Sequence, residues 1–153
     1  MSISEVLLSE FDREMANTRK ILECVPEDKF AWKPHEKSFT LGRLAGHLAE
    51  MPLWVTVIIK GPAKKPSNSI SKAELLEAFN QGIASAREAI AGASDDHLRE
   101  TLGINTPFAM PRVALLRLRV MSHMIHHRGQ LSVYLRLLDV SVPGVYGPSA
   151  DET

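Results

Sequence analysis

Cysteine and net charge are both nearly absent from this sequence. Of its 153 residues only Cys24 is a cysteine, so no disulfide can form within the chain. A chain without internal disulfides suits a reducing compartment, so we expect a cytoplasmic protein. We also expect Cys24 to pack in the core. Eighteen basic side chains balance eighteen acidic ones. Because the bulk composition supplies no basic surface, we expect no nucleic-acid partner.

Long hydrophobic runs are also missing. The most apolar stretch, residues 51–59, is about half as long as a membrane span and contains Pro52. The first residues lack a cationic start followed by an apolar run, so we expect no signal peptide. We therefore expect no membrane anchor. Glycine-rich phosphate loops, paired-cysteine metal motifs and Ser or Cys nucleophiles in a recognised context are absent as well.

Helical periodicity is what the sequence does contain. Hydrophobic residues make up 44% and charged residues 24% of the chain, which is typical of a globular protein. The length suits one domain over residues 1–153. Four segments carry apolar residues at spacings of three and four, and no segment alternates with the period of a strand. The pattern predicts an all-α protein, a four-helix bundle.

Capping residues and prolines indicate where the four helices begin and end. Ser2 with Glu5, and Ser71 with Glu74, have the spacing of capping boxes. The remaining boundaries are a cap at Thr40, stops at Pro26, Gly61 and Gly92, and a fourth helix from Pro111 to about Asp139. The expected connections are a polar linker at residues 63–70, a second connection at residues 95–107 and an irregular tail at residues 141–153.

The fourth helix carries the main functional signal. Its stripe turns polar at His123, His127 and Gln130 and is otherwise mostly apolar; the full stripe is Leu116, Val120, His123, His127, Gln130, Tyr134 and Leu137. His123 and His127 are four residues apart, so both imidazoles project from one face and can reach one metal ion. His47 interrupts the apolar stripe of the second helix in the same way.

Burial of three imidazoles requires a compensating partner. Each unpaired polar group in a core costs about 1–3 kcal/mol, and one divalent ion would satisfy all three rings. Three histidines leave one open position on tetrahedral zinc and up to three on octahedral nickel, manganese or iron. Open positions are typical of a catalytic or ligand-binding site. The alternative is that the histidines are hydrogen-bonded core residues of a bundle without metal.

Other histidines compete for the same role. His126 lies three residues from His123, so a ligand pair formed by these two is geometrically feasible. We favour His127 because it continues the stripe, whereas His126 falls on a flank. His35 and His97 fall in connections and are expected to be solvated. Arg128 is expected to pair with an acidic group on the surface or at a dimer contact.

Three segments resemble the DinB/YfiT-like superfamily, in its DinB branch. They are residues 41–50, with the sequence LGRLAGHLAE; residues 123–131, HMIHHRGQL; and residues 143–151, PGVYGPSAD. The resemblance implies an up-down-down-up bundle in which His47, His123 and His127 bind one metal ion, often zinc or nickel. It also implies a homodimer. Characterised relatives include thiol S-transferases that use bacillithiol and a mycothiol-dependent isomerase.

The functional expectation is a metal-dependent enzyme that acts on a small molecule, either a thiol S-transferase using a low-molecular-weight thiol or a hydrolase. Gln130 and Tyr134 are candidate pocket residues; alternatively, Gln130 hydrogen-bonds a metal ligand while Tyr134 packs. Met51 and Trp54 would line the pocket or fill the core. The competing interpretation is a non-catalytic metal-binding protein of stress response or an interaction module. An enzyme predicts a cavity at the metal, and a structural site predicts a fourth protein ligand without a cavity.

Overall fold

The computed structural model describes residues 1–62, 71–103, 106–107 and 109–152. The helices are α1 (Ile3–Glu23), α2 (Leu41–Lys60), α3 (Lys72–Ala91), α4 (Asp95–Arg99), α5 (Arg112–Leu115) and α6 (His123–Leu137), with a 3-10 turn at Glu27–Lys29 and a π-helix at Leu116–Ser122. α5, the π-helix and α6 together form the predicted fourth helix. Over the described residues, none of these helices combines the length and hydropathy needed to cross a membrane.

α2 and α3 pack side by side and run in the same direction. The Thr56 and Ser85 hydroxyl oxygens are 2.8 Å apart, and one turn further along both helices Lys60 Nζ lies 2.6 Å from Glu88 Oε1. Residue numbers therefore rise together along the two helices.

α6 runs antiparallel to α2. The His47 ring lies beside the His127 ring, and Trp54, two turns later in α2, lies beside the earlier residue His123 of α6. Residue numbers therefore rise along one helix as they fall along the other.

α1 runs antiparallel to α3. Asp12 pairs with Arg87, whereas the later residue Arg19 of α1 stacks over the earlier Phe79 of α3. With α2 parallel to α3 and antiparallel to α6, the order is up-down-down-up. The all-α four-helix prediction is confirmed.

The predicted helix caps are present. Ser2 Oγ accepts a hydrogen bond from the Glu5 amide while the Glu5 carboxylate accepts one from the Ser2 amide, and Ser71 with Glu74 repeats this arrangement. Thr40 accepts from the third amide of α2. These reciprocal bonds satisfy amides that have no partner inside the helix. The predicted linker, residues 63–70, lies outside the described residues.

The predicted connection at residues 95–107 contains regular structure that the sequence did not indicate. α4 is followed by β1 (Thr101–Leu102), which pairs antiparallel with β2 (Met110–Pro111), Thr101 opposite Pro111 and Leu102 opposite Met110. Two-residue strands and a five-residue helix are too short to produce a readable period. Residues 104, 105 and 108 lie outside the described residues.

His97 and Asp95 both bind back to the bundle. His97 is half-buried in α4, with Nε2 2.9 Å from the Ile59 carbonyl oxygen at the end of α2. The expectation that His97 is solvated in a connection was therefore wrong. Asp95 Oδ1 accepts a hydrogen bond from the Ile3 amide and thereby caps α1.

The buried face of α6 is offset from the predicted stripe. Leu137, expected to be in the core, is 58% exposed, and Gln130 is also exposed. The buried side chains of α6 are Met124, Arg128, Leu131 and Leu135. The π-helix explains the offset, because its wider i→i+5 turns use more residues per turn and change which face α6 presents to the core. The histidines therefore lie at the edge of the core, partly exposed.

Arg128 lies in the core, so the expectation of a surface or dimer ion pair was wrong. Its side chain is 3% exposed, and Nη2 lies 2.8 Å from Glu14 Oε2 on α1. Nη1 donates at 3.1 Å to the Glu14 carbonyl oxygen and to Thr18 Oγ1, and Nη2 also donates to the Tyr146 hydroxyl. Tyr146 in turn donates to Glu14 Oε2 at 2.6 Å. The group ties α6, α1 and the C-terminal tail together.

Cys24 is half-buried rather than fully in the core. Its Sγ donates to the Lys20 carbonyl oxygen at 3.2 Å. Burial raises the pKa of the thiol. A raised pKa leaves little thiolate at neutral pH, so Cys24 is a poor nucleophile.

Gly82 leaves little room for a side chain, because α3 contacts α2 closely at this position. A Cβ on Gly82 would lie 3.2 Å from Pro52 Cβ and 3.3 Å from the Leu53 amide nitrogen. We expect Gly82→Ala to lower the free energy of unfolding by about 1–3 kcal/mol, as overpacking does. Urea unfolding would measure the change.

Gly129→Ala is the matched control. Gly129 is an exposed position inside α6, and a Cβ there would have no atom within 4 Å. Alanine at this position should raise the free energy of unfolding by up to about 1 kcal/mol, because glycine is a poor helix former. Equal effects of the two substitutions would contradict the close approach of α2 and α3.

Candidate metal centre

Three imidazoles from two helices meet at one edge of the bundle. α2 supplies His47 and α6 supplies His123 and His127. Their ring centroids are 4.8 Å apart for His47 and His127, 5.3 Å for His47 and His123, and 4.6 Å for His123 and His127. Each ring offers one nitrogen, and these nitrogens all lie within 4.8 Å of one another. Among the described residues, no fourth His, Cys, Asp or Glu joins the group.

This donor set fits a divalent transition metal. At a zinc–nitrogen distance of about 2.0–2.1 Å, two nitrogens of a tetrahedral site lie about 3.4 Å apart. His123 Nε2 and His127 Nε2 are 2.8 Å apart, and the widest separation in the group is at most 4.8 Å. Small ring rotations would bring all three nitrogens to ligand distances. Three neutral imidazoles suit zinc, nickel or iron better than magnesium or calcium, which prefer oxygen.

Gln130 orients one of these rings. Its Oε1 lies 2.7 Å from His127 Nδ1, and because an amide oxygen can only accept, Nδ1 carries the proton. The neutral His127 ring then has an unprotonated Nε2, which lies 2.8 Å from His123 Nε2. A partner that fixes the tautomer of a metal-binding histidine is common at metal sites. This contact matches the supporting role considered for Gln130.

The surroundings favour the neutral forms of His47 and His127. Burial, followed by the nearby His127, His123 and Arg43, lowers the pKa of His47 from 6.5 to about 4. Burial also lowers the pKa of His127, although the hydrogen bond to Gln130 acts in the opposite direction. Neutral imidazoles have a free lone pair at pH 7, which is the form that binds metal.

The lowered pKa of His47 predicts acid sensitivity of the metal-free protein. Between the ordinary pKa of 6.5 and the folded value of about 4, the unfolded chain takes up a proton that the folded chain does not. The free energy of unfolding should therefore fall as the pH falls through this range. Urea unfolding at pH 7 and pH 5 should show a smaller loss for His47→Gln than for the unsubstituted protein. His35→Gln, at an exposed position, is the control, and identical losses in all three proteins would contradict the prediction.

Two aromatic rings cover the imidazoles. Phe39 stacks near the His127 ring, with centroids 6.5 Å apart and planes at 21°. Trp54 packs its ring on His47 at 5.5 Å and near His123 at 5.7 Å. Met51 is fully buried, the core-filling role considered for it. The rings shield part of the site from water while the histidines stay partly exposed.

A cavity of about 280 Å³ lies beside His127. It is lined by Lys37, Ser38, Phe39, Leu44, His127, Gln130 and Tyr134. The Tyr134 hydroxyl donates to the Phe39 carbonyl oxygen at 3.2 Å, and its ring packs edge-on against Trp32. Tyr134 thus packs and also lines the cavity. Sequence reasoning missed residues 37–39 because a connection has no periodic pattern from which its contacts could be predicted.

The other histidines lie outside the group. The exposed His126 ring lies 4.9 Å from the His127 ring but does not converge with the three nitrogens. His35 is exposed, and its Nδ1 accepts from the Lys37 amide at 3.1 Å. The structure thus brings together the three residues favoured from sequence, and their role as ligands stays a prediction.

Comparison with known proteins yields relatives without an assigned activity. Two proteins of Bacillus subtilis (strain 168), the uncharacterized proteins YrdA and YjoA, are each 27% identical to this chain. The YrdA match covers 95% of this chain and 89% of YrdA; the YjoA match covers 89% and 91%.

Solved structures share the fold. A DinB-like protein from Bacillus cereus ATCC 10987 superposes with a TM-score of 0.76 at 24% identity, over 93% of this chain and 97% of that protein. The DinB-like protein YjoA from Bacillus subtilis gives a TM-score of 0.73 at 23% identity, over 90% and 95%. The sequence profile of the DinB family matches residues 1–153. The chain therefore belongs to the DinB family.

Proposed function

We propose that this chain is a metal-dependent enzyme acting on a small molecule, with thiol S-transfer as its reaction and hydrolysis as the nearest alternative. The observation that carries the proposal is a group of three histidines without a fourth protein donor among the described residues, directly beside a cavity. A structural metal site would have a closed ligand set and no cavity.

The residues of the chain have separable tasks. When bound at the three histidines, a divalent cation supplies a Lewis acid that lowers the pKa of a thiol or of water. Gln130 holds the His127 ring in the tautomer whose Nε2 is unprotonated and has a lone pair for a metal ion. Phe39 and Trp54 cover the imidazoles, and the exclusion of water strengthens electrostatic interactions at the site. Tyr134 anchors the connection before α2 through the Phe39 carbonyl.

The proposed S-transfer step is a substitution at carbon. The sulfur of the thiol substrate forms a bond to an electrophilic carbon of the second substrate. The bond from that carbon to its leaving group breaks, and the leaving group departs with the electron pair. The thiol proton passes to solvent or to the leaving group, so no oxidant or reductant is needed.

Turnover on metal-loaded protein would test the proposal. Protein stripped with a chelator would be reloaded separately with zinc, nickel, manganese or iron(II). Each form would be incubated with low-molecular-weight thiols and with electrophiles that carry a leaving group, an aryl halide and an alkyl halide among them. Thioether formation by mass spectrometry is the expected result. Ester substrates in the same panel would detect hydrolysis instead.

His47→Ala and His35→Ala are the paired variants. His47 belongs to the three-histidine group, whereas His35 is exposed and outside it. Turnover should disappear in the first variant and persist in the second. Metal binding without turnover of either kind would contradict the enzymatic proposal and leave a non-catalytic metal protein.

A further inference from the structure

Two cations without an acidic partner among the described residues stand at the cavity beside the candidate metal centre, one lining it and the other stacked on a ring that lines it. Lys37 lines the cavity, and Arg43 places its guanidinium carbon 4.0 Å from the centroid of the Phe39 ring, which also lines it. Within the described part of the chain, neither side chain takes part in an ion pair or a side-chain hydrogen bond. Arg43 is one turn before His47 on α2, so it stands at the same face as the metal ligands.

We propose that Lys37 and Arg43 recognise an anionic group, a carboxylate, on the small molecule that enters this cavity. This inference rests on the proposed function and adds the charge of its substrate. The thiol end of the molecule would lie at the three-histidine group and the carboxylate would lie near Phe39. A cavity of about 280 Å³ suits a ligand of this size.

Side chains rather than backbone amides would bind the anion. The first amides of α2, those of Leu41, Gly42 and Arg43, already donate to acceptors within the chain. The positive end of the α2 dipole still favours negative charge on this side of the bundle. Phe39 holds the Arg43 guanidinium by a cation–π contact, which limits the conformational entropy lost when an anion binds.

Three thiols that differ only in their terminal group can test the charge preference. 3-Mercaptopropionate, 2-mercaptoethanol and cysteamine share a two-carbon thiol and end in an anion, a neutral hydroxyl and a cation. Binding to protein loaded with cobalt(II) would be followed by the visible absorption of the cobalt, with affinities corrected for the pKa of each free thiol. We expect 3-mercaptopropionate to bind about three- to tenfold more tightly than 2-mercaptoethanol, as suits partly exposed ion pairs, and cysteamine to bind most weakly.

Arg43→Gln with Lys37→Gln should bring the anionic and neutral thiols to equal affinity, while cobalt binding remains. Arg19→Gln is the matched control, because Arg19 also stacks over a phenylalanine ring but does so between α1 and α3. The preference should also shrink as salt is added, since exposed charges are screened.

The possible failures are distinguishable. Cobalt binding with equal affinity for all three thiols, or a preference that survives the double substitution, would overturn the anion site alone. Failure to bind cobalt would overturn the metal-dependent function and the anion site together.

Discussion

Replacing His127 with alanine is expected to lower the affinity of this protein for a divalent metal by more than about 100-fold. Loss of a residue that only hydrogen-bonds a metal ligand typically lowers the affinity by about 10- to 100-fold, and loss of a ligand should cost more. The same loss is expected for His47→Ala and His123→Ala. The reason is geometric, because each ring supplies one of three converging nitrogens and no fourth donor stands by in the described residues to replace it. Competition with a chromophoric chelator, together with elemental analysis after dialysis, would measure the loss.

His126→Ala is the sharpest control for this experiment. His126 is adjacent to His127 in sequence and its ring lies 4.9 Å away, yet it is outside the converging group. We expect metal affinity within about threefold of the unsubstituted protein, since substitutions away from a site usually change energies by under 0.5 kcal/mol. A large loss in His126→Ala together with retention in His127→Ala would show that His123 and His126 form the pair.

Arg128→Met is expected to lower the free energy of unfolding by about 3–5 kcal/mol, the range for breaking a buried ion pair. The Glu14 and Arg128 side chains are only 4% and 3% exposed, so removal of the cation leaves a buried carboxylate without its main partner. Burial by itself would raise the pKa of Glu14, but hydrogen bonds from Tyr146 and Arg128 outweigh it and lower the pKa. Urea unfolding at pH 7 would give the value.

Two further variants separate burial from charge. Arg99→Met removes the cation of the exposed pair with Asp95 and should cost at most about 1 kcal/mol. Glu14→Met combined with Arg128→Met removes both charges and should recover much of the loss, because a buried pair can often be replaced by apolar side chains. A loss below 1 kcal/mol in Arg128→Met alone would contradict the structural role of the pair.

The architecture was readable from the sequence because local chemistry determines it. Ser2 and Ser71 each precede a glutamate by three residues, and both pairs form the capping boxes that the spacing predicts. Apolar residues at spacings of three and four specify helices wherever the helix is long enough to repeat the pattern. α4 and the two-residue strands lack that length, so they gave no signal.

The site was only partly readable. The spacing of His123 and His127 places them on one face of any helix, so their proximity followed from the sequence alone. The burial of these histidines could not be predicted from the sequence, because the π-helix before His123 rotates α6 and leaves them at the edge of the core. Arg128 was misplaced for the same reason, since the residue beside the predicted stripe became the buried one. The cavity wall at residues 37–39 depends on tertiary contacts of a connection that no period describes.

A metal ion bound by the three rings would couple the folding of this chain to the supply of that metal. His123 and His127 lie on α6, whereas His47 lies on α2, much earlier in the chain. The three rings therefore come together only after α2 and α6 have packed against each other. An ion that binds only the docked chain stabilises it by an amount that grows with the logarithm of its free concentration, about 2.7 kcal/mol at 100 times the dissociation constant. Scarcity of the ion would then remove the protein from the cell through unfolding and turnover, in addition to stopping its chemistry.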